Sequence, residues 1–398
     1  MVATVMLSMT LGVLPIFLLG AFSPDIQKAL GLSEVAIGAI FGGYFAVSVL
    51  LSFAAGQLGE RRGPAWTMSV AAVGVAVCLA GVGVARTSVH LALAVLVGGV
   101  ANTLTQPAGN LALARALPRG RLGLAFALKQ SSIPVASMIG GLAVPTVGIL
   151  FGWRWTIALC AILGVVVLVM ARTLVPGYGI TAQSAAEQAP CSLRRLVPLT
   201  AAGVCGAAAT TGMIAFFVDG AVRSGVSNSA AGIWFAVAGA VGIAGRLLAG
   251  WIADSWRRRP PLAFCLAAYY ACGAAGFVLL AFADTWLLRV PATLLVFAGG
   301  WGWQGMFHHT TVLWSQPTPS RGTGMTQTGL SLGGSIGPVI FGAIAGAVSF
   351  RAAWIYTGAL MVAAAVLVAL SPSERTMAHV ESDRAAGPGI VTGGSRPH

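Results

Sequence analysis

The chain has 398 residues, of which 57% are hydrophobic and only 8% charged, and its mean hydropathy is +0.87. Soluble domains carry about a quarter charged residues, so this composition predicts an integral membrane protein. A formal net charge of +13 could suggest nucleic acid, but the arginines lie between apolar runs instead of clustering on one face, so no nucleic-acid partner is expected.

Apolar windows of about 20 residues, enough to cross a bilayer, recur along the whole chain. The first six fall at 4–23, 34–55, 66–85, 88–113, 122–148 and 154–175. Residues 2–22 lack a positive n-region and a clear cleavage site, so a first span is expected there and not a signal peptide. The very short stretch before it leaves open a start further upstream. A polar segment, 176–196, holds Gly177, Gly179, Gln183, Ser184, Glu187, Gln188 and Pro190 and is expected to be a cytoplasmic linker. Six more windows follow at 197–218, 229–252, 262–283, 287–313, 324–347 and 352–370. From Pro372 the sequence is polar and glycine-rich, as in a disordered tail. The expected organisation is therefore an all-α integral membrane protein with twelve transmembrane helices. An N-terminal six-helix bundle (1–175) and a C-terminal one (197–371) flank the linker, and a disordered cytoplasmic tail (372–398) closes the chain.

The basic residues orient these spans. With both termini inside, the cytoplasmic loops hold Arg61, Arg62, Arg115, Arg119, Arg121, Arg172, Arg194, Arg195, Arg257, Arg258, Arg259 and Arg321. The external loops would hold half as many: Lys28, Arg86, Arg154, Arg223, Arg289 and Arg351. That bias predicts a multi-pass protein of the cytoplasmic membrane with both ends cytoplasmic. The 6 cysteines lie mostly within apolar segments without paired spacing, so neither a disulfide framework nor a metal site is expected.

Two stretches say nearly the same thing. Gly56-Gln57-Leu58-Gly59-Glu60-Arg61-Arg62-Gly63 closes the second window, and Gly250-Trp251-Ile252-Ala253-Asp254-Ser255-Trp256-Arg257 closes the eighth. Their carboxylates are 194 residues apart, close to half the chain. Leu128-Lys129-Gln130-Ser131 matches Met325-Thr326-Gln327-Thr328, and Trp153-Arg154 matches Phe350-Arg351, both at an offset of 197. Gly98-Gly99 and Gly299-Gly300 correspond at 201. Repetition at one spacing implies two homologous halves, an architecture common among transporters.

These glycine–acid–arginine corners resemble the loop signature of the major facilitator superfamily, and the resemblance covers roughly residues 4–371. The chain departs from the family pattern in using Glu60 for the usual aspartate and Pro64-Ala65 where basic residues often follow; the second copy lacks the glycine after its acid. The resemblance implies two six-helix bundles and a cytoplasmic latch built from Gly56, Glu60, Arg61, Gly63, Gly250, Asp254 and Arg257. A plainer reading takes the same charges as topology-setting loop residues.

Only Lys129 and Arg246 place charge well inside apolar windows, each about seven residues, hence about 10 Å, from the cytoplasmic end. A buried cation costs about 2.5–3.5 kcal/mol on insertion scales, so such residues usually have a function. Two cations from opposite halves facing one cavity would hold an anion; alternatively each side chain snorkels to the interface or bonds backbone carbonyls. Gly245-Arg246 through Asp254 is similar to the eighth helix of monocarboxylate and oxalate/formate transporters, where that arginine meets the substrate carboxylate. Ala127-Leu128-Lys129-Gln130, with Trp301-Gly302-Trp303, is similar to the bacterial cyanate and nitroimidazole transporter branch.

Polar stripes complete the expected pathway. Asn102, Gln106 and Asn110 recur every four residues on one helix face. Trp301, Gln304 and His308 follow i, i+3, i+7, and Gln130 and Gln327 are pseudo-equivalent. Such groups either line a pathway or join helices. His308-His309 diverge by about 100° on a helix and make a poor metal pair; one histidine could relay a proton. The 10 acids all lie near window ends or in polar segments, which disfavours proton-coupled efflux of drugs or hydrophobic metabolites, the runner-up. The leading expectation is a non-enzymatic secondary transporter for a small organic or inorganic anion, working by alternating access. Lys129 and Arg246 would hold the anion, Gln130, Gln327, Gln304, His308, Asn102 and Gln106 would assist, and Trp303 would shape the apolar wall. The expected partners are that anion, a proton or counter-anion, and the lipid bilayer, with the protein a monomer as the family implies. No cofactor is expected, and no GxxxxGK[ST] loop for ATP is present.

Overall fold

The structure, a computed structural model, describes residues 1–116, 122–175, 196–255, 262–315 and 319–371. Side chains at 53, 60, 114–116, 122–127, 249–255 and 319–321 are outside the description. The expected linker therefore lies outside the described residues except for buried Leu196, as does the tail beyond Ser371.

Helices account for nearly all described residues, and no strand occurs among them. In the first half they are α1 (Val2–Ala21), α2 (Ser23–Leu30), α3 (Glu34–Arg62), α4 (Pro64–Val84), α5 (Ser88–Ala116) and α6 (Leu122–Ala143). A π-helical turn (Val144–Gly148) follows, then α7 (Ile149–Leu159) and α8 (Ala161–Leu174). The second half holds α9 (Val197–Arg223), α10 (Asn228–Ser255), α11 (Leu262–Ala281), α12 (Trp286–Ala298), α13 (Trp303–Trp314), α14 (Pro319–Ala347) and α15 (Phe350–Ala369). In a bilayer the helix satisfies its own backbone groups, so long apolar stretches have no other stable form.

Ten described stretches are long and apolar enough to cross a membrane. The difference from twelve has two local causes. Residues 128–174 run together as one apolar stretch, although Gly152 breaks the helix at φ 71°. The tenth window is interrupted at Gly299–Gly302, which leaves α12 and α13 each too short alone. The break at Gly152 falls in the gap expected between the fifth and sixth windows, whereas the interruption at Gly299–Gly302 and the short α2 were not expected from hydropathy.

The helices form two pseudo-symmetric six-helix bundles. In the first, α1 packs on α5 and α6, and α4 on α5 and α8; in the second, α9 packs on α14 and α15, and α11 on α12 and α15. The repeat is visible in matching contacts. Arg154 donates to Ala85 O at 3.0 Å, and Arg351 to Ala281 O at 3.1 Å, so each arginine caps the equivalent helix end. A Cβ on Gly98 would lie 2.6 Å from Cys78 Sγ, and one on Gly299 would lie 2.6 Å from Cys272 Sγ. The shared spacing thus encodes a shared packing.

Between the bundles the seam is two-fold as well: α3 meets α14 as α10 meets α6, and α1 meets α9 on the pseudo-axis. Small residues let these backbones touch. A Cβ on Gly38 would overlap Pro338 O, one on Gly42 would overlap Ser335 O, and one on Gly20 would overlap Ile214 O. On the other arm, Gly141 would meet Gly232 O at 2.5 Å. These close approaches all lie in the half of the molecule farther from the start of α1, called the distal end below. There the bundles are shut against each other.

Candidate functional site

Lys129 stands on α6 and is 3% exposed. Its Nζ donates to Gln106 Oε1 at 2.7 Å and to Asn110 Oδ1. Those acceptors are one turn apart on α5, and between them Gly109 leaves room for the lysine stem, whose Cε would be 3.6 Å from an added Cβ. Each hydrogen bond to a charged group contributes about 1.5–3 kcal/mol, enough for two of them to offset a buried-cation penalty of about 2.5–3.5 kcal/mol. The i, i+4 polar stripe is therefore a cradle for the ammonium group. Asn102, a further turn along, faces α1 at Gly12, where an added Cβ would lie 3.1 Å from its Oδ1.

Arg246 reaches across the seam from α10. Its guanidinium donates to Gln130 O of α6 at 2.9 Å and to Gln304 Oε1 of α13 at 2.6 Å, and lies 5.1 Å from the ring centre of Trp301. Its Nε is buried with no hydrogen-bond partner, and so is Gln130 Oε1. No carboxylate among the described residues forms an ion pair with Arg246. One donor of a desolvated cation is thus unused, and an unmade buried bond of this kind costs about 1–3 kcal/mol or more. His308 lies one turn beyond Gln304 on α13, the helix whose Gln304 accepts from Arg246. Both bundles thus contribute to the setting of Arg246, Gln130 from the first and Gln304 from the second.

Other expected residues stand apart from this group. Trp303 packs inside the second bundle, 5.0 Å from Tyr270 and 5.3 Å from Phe307 between ring centres, while Trp301 takes the place beside the arginine. Helical spacing alone puts Trp301 on the Gln304 side and Trp303 about 200° round from Trp301. Gln327 is exposed on α14.

At the expected latch, Gly63 adopts φ 81°, ψ 165° and joins α3 to α4. That conformation needs glycine, and the turn is held by Gly63 N–H on Gly59 O at 2.9 Å. Arg61 is exposed and Arg62 lies over Trp66, while nothing lies within 4 Å of a Cβ added to Gly56. The Glu60 and Asp254 side chains, the burial of Gly250, and all of Arg257 lie outside the description.

A second polar group, at the distal end, was not singled out from sequence. Arg223 NH2 bonds Glu34 Oε1 at 2.6 Å, Gln27 Nε2 donates to Asp219 Oδ2 at 3.1 Å, and Asn228 Nδ2 donates to Asp25 Oδ1 at 2.9 Å. Every one of these bonds joins the two bundles. Burial raises the Asp25 carboxyl above its ordinary range, and the Asn228 bond and Lys28 pull it back. The signal was present: Asp25 and Asp219, and likewise Glu34 and Asn228, stand 194 residues apart, the spacing of the corner acids.

The sequence matches the family model described as Major Facilitator Superfamily over residues 2–321. No curated protein matches it. Among solved structures, it is similar to a bacterial homologue of the human lysosomal transporter Spinster in an inward-facing, occupied conformation. There the TM-score is 0.80 at 16% identity, over 94% of this chain and 96% of that one. The unoccupied inward-facing form of that homologue gives 0.72 at 17% identity, over 93% and 94%. A point mutant of the nucleoside transporter NupG gives 0.72 at 13% identity, over 92% and 99%.

Proposed function

Since this chain belongs to the major facilitator superfamily, we propose that it is a secondary transporter that moves a small organic or inorganic anion by alternating access. The bundles, 1–175 and 197–371, rock about the site between them; Lys129 and Arg246 hold the anion, and the cytoplasmic corners around Glu60 and Asp254 close the opposite side. Gln130, Gln304, His308, Asn102 and Gln106 supply neutral polar contacts, and Trp301 the apolar side. A proton or a counter-anion supplies the coupling.

The observation that carries this reading is the buried Nε of Arg246, which has no hydrogen-bond partner, on a cation that no described carboxylate pairs with. An anion there would take up the unused donor and balance the buried positive charge. Because Arg246 belongs to one bundle and its acceptor Gln130 to the other, the site would change shape when the bundles move, as alternating access requires.

The test is radiolabelled uptake into proteoliposomes with a panel of small carboxylates and cyanate, comparing wild type with Lys129→Ala and Arg246→Ala. Loss of a charge-assisted contact of about 1.5–3 kcal/mol corresponds to roughly a 10- to 150-fold fall in kcat/KM for the anion. Unchanged anion flux in both variants would overturn the two-cation site, and efflux of hydrophobic compounds that survives both substitutions would favour the runner-up.

A further inference from the structure

A cavity of about 200 Å³ opens at the distal end of the second bundle. It lies among α9, α10, α11, α12 and α15, so it is separate from the central site between the bundles. Phe217, Trp234, Phe350 and Trp354 contribute apolar walls, and Arg289 lines it from α12.

Arg289 is the unusual member. It is 8% exposed, its Nε donates to Ala283 O at 3.0 Å, and its guanidinium lies 5.9 Å from the Trp286 ring centre. Its two terminal nitrogens make no hydrogen bond to any described residue, and no described carboxylate forms an ion pair with it. Asp284, the carboxylate in the lining, pairs with Arg351 at 3.6 Å instead. The cavity therefore carries an excess positive charge, held by a cation that is over nine-tenths buried.

We propose that this cavity is a second binding site, for a small organic anion with a carboxylate head and a flat apolar body. The terminal nitrogens of Arg289 match a carboxylate in bidentate fashion, and the surrounding rings favour a planar apolar group. Drug-sized pockets run to roughly 300–1,000 Å³, so the ligand is smaller than those. Trp301, which lies beside Arg246, packs edge-to-face on Phe297, and Phe297 edge-to-face on Phe217 of the cavity wall. That aromatic plug keeps the two sites apart.

The experiment uses full-length protein in nanodiscs, with radiolabelled benzoate as the probe and Lys129→Ala/Arg246→Ala as the background that removes the central site. The background protein is expected to bind benzoate, Arg289→Gln in that background to weaken binding at least tenfold, and neutral benzamide not to compete. No benzoate binding to the background protein, or binding that Arg289→Gln leaves unchanged, overturns the proposal. Should Arg289→Gln fail to fold, a cysteine introduced by Ser224→Cys at the exposed rim decides. Benzoate that slows its modification by a maleimide supports the site, and an unaltered rate overturns it.

Discussion

At the distal seam, Arg223 bonds Glu34 at 2.6 Å and Asp219 at 3.2 Å. Distance alone would rank Glu34 first, but burial reverses the order. The Arg223 side chain is 46% exposed and that of Glu34 18%, whereas that of Asp219 is 4% exposed and also accepts from the buried Gln27 amide. Exposed ion pairs contribute about 0.2–1 kcal/mol, while stranding a buried donor costs about 1–3 kcal/mol. Glu34→Gln is therefore expected to change the distal-closed population less than about fivefold, and Asp219→Ala by roughly 5- to 150-fold. Spin labels placed through Lys28→Cys and Ser227→Cys, on opposite bundles, would report it as a change in distance distribution. Equal effects of the two substitutions would show that burial does not set the ranking.

Among the elements, α3 and α14 carry the same lesson in backbone form. Their contact depends on Gly42, where a side chain would overlap Ser335 O and stand 2.8 Å from Val339 Cγ2. A valine there must wedge the helices apart, and overpacking of this kind costs about 1–3 kcal/mol. Gly42→Val is expected to open the distal end, lengthening the 28–227 distance and raising the maleimide reactivity of a cysteine at 227. Gly324→Val, on the same α14 but with nothing within 4 Å of its Cβ, serves as the control and should leave the distance unchanged. A Gly42→Val protein that keeps the wild-type distance would mean the seam does not rely on backbone contact. The windows in sequence marked α3 and α14 as spans but not as partners, because a glycine's neighbour lies some 300 residues away. Trp301 rather than Trp303 beside Arg246 was legible in its i, i+3 spacing to Gln304, whereas the break between α12 and α13 was not, because hydropathy averages over it.

For the molecule as a whole, the chain's apolarity and its internal repeat determined the class. Water is absent from a bilayer core, so composition and window length alone already demand membrane-spanning helices. The offsets near 194–201 demanded two related halves, and Arg154 and Arg351 capping equivalent helix ends are the physical form of that repeat. Lys129 and Arg246 were also readable, since a charge inside an apolar window is conspicuous by its desolvation penalty. Sequence could not say what each cation meets. Gln106 and Asn110 close on Lys129 where Gly109 leaves room for its stem, and Arg246 finds Gln130 and Gln304 only once the two bundles are docked. Tertiary structure likewise decided that the distal end is shut, and that Arg289, a loop charge in the linear reading, is a buried cation in an aromatic recess. Burial and partnership depend on residues far apart in the chain, whereas hydrophobicity and repetition are properties of the chain itself.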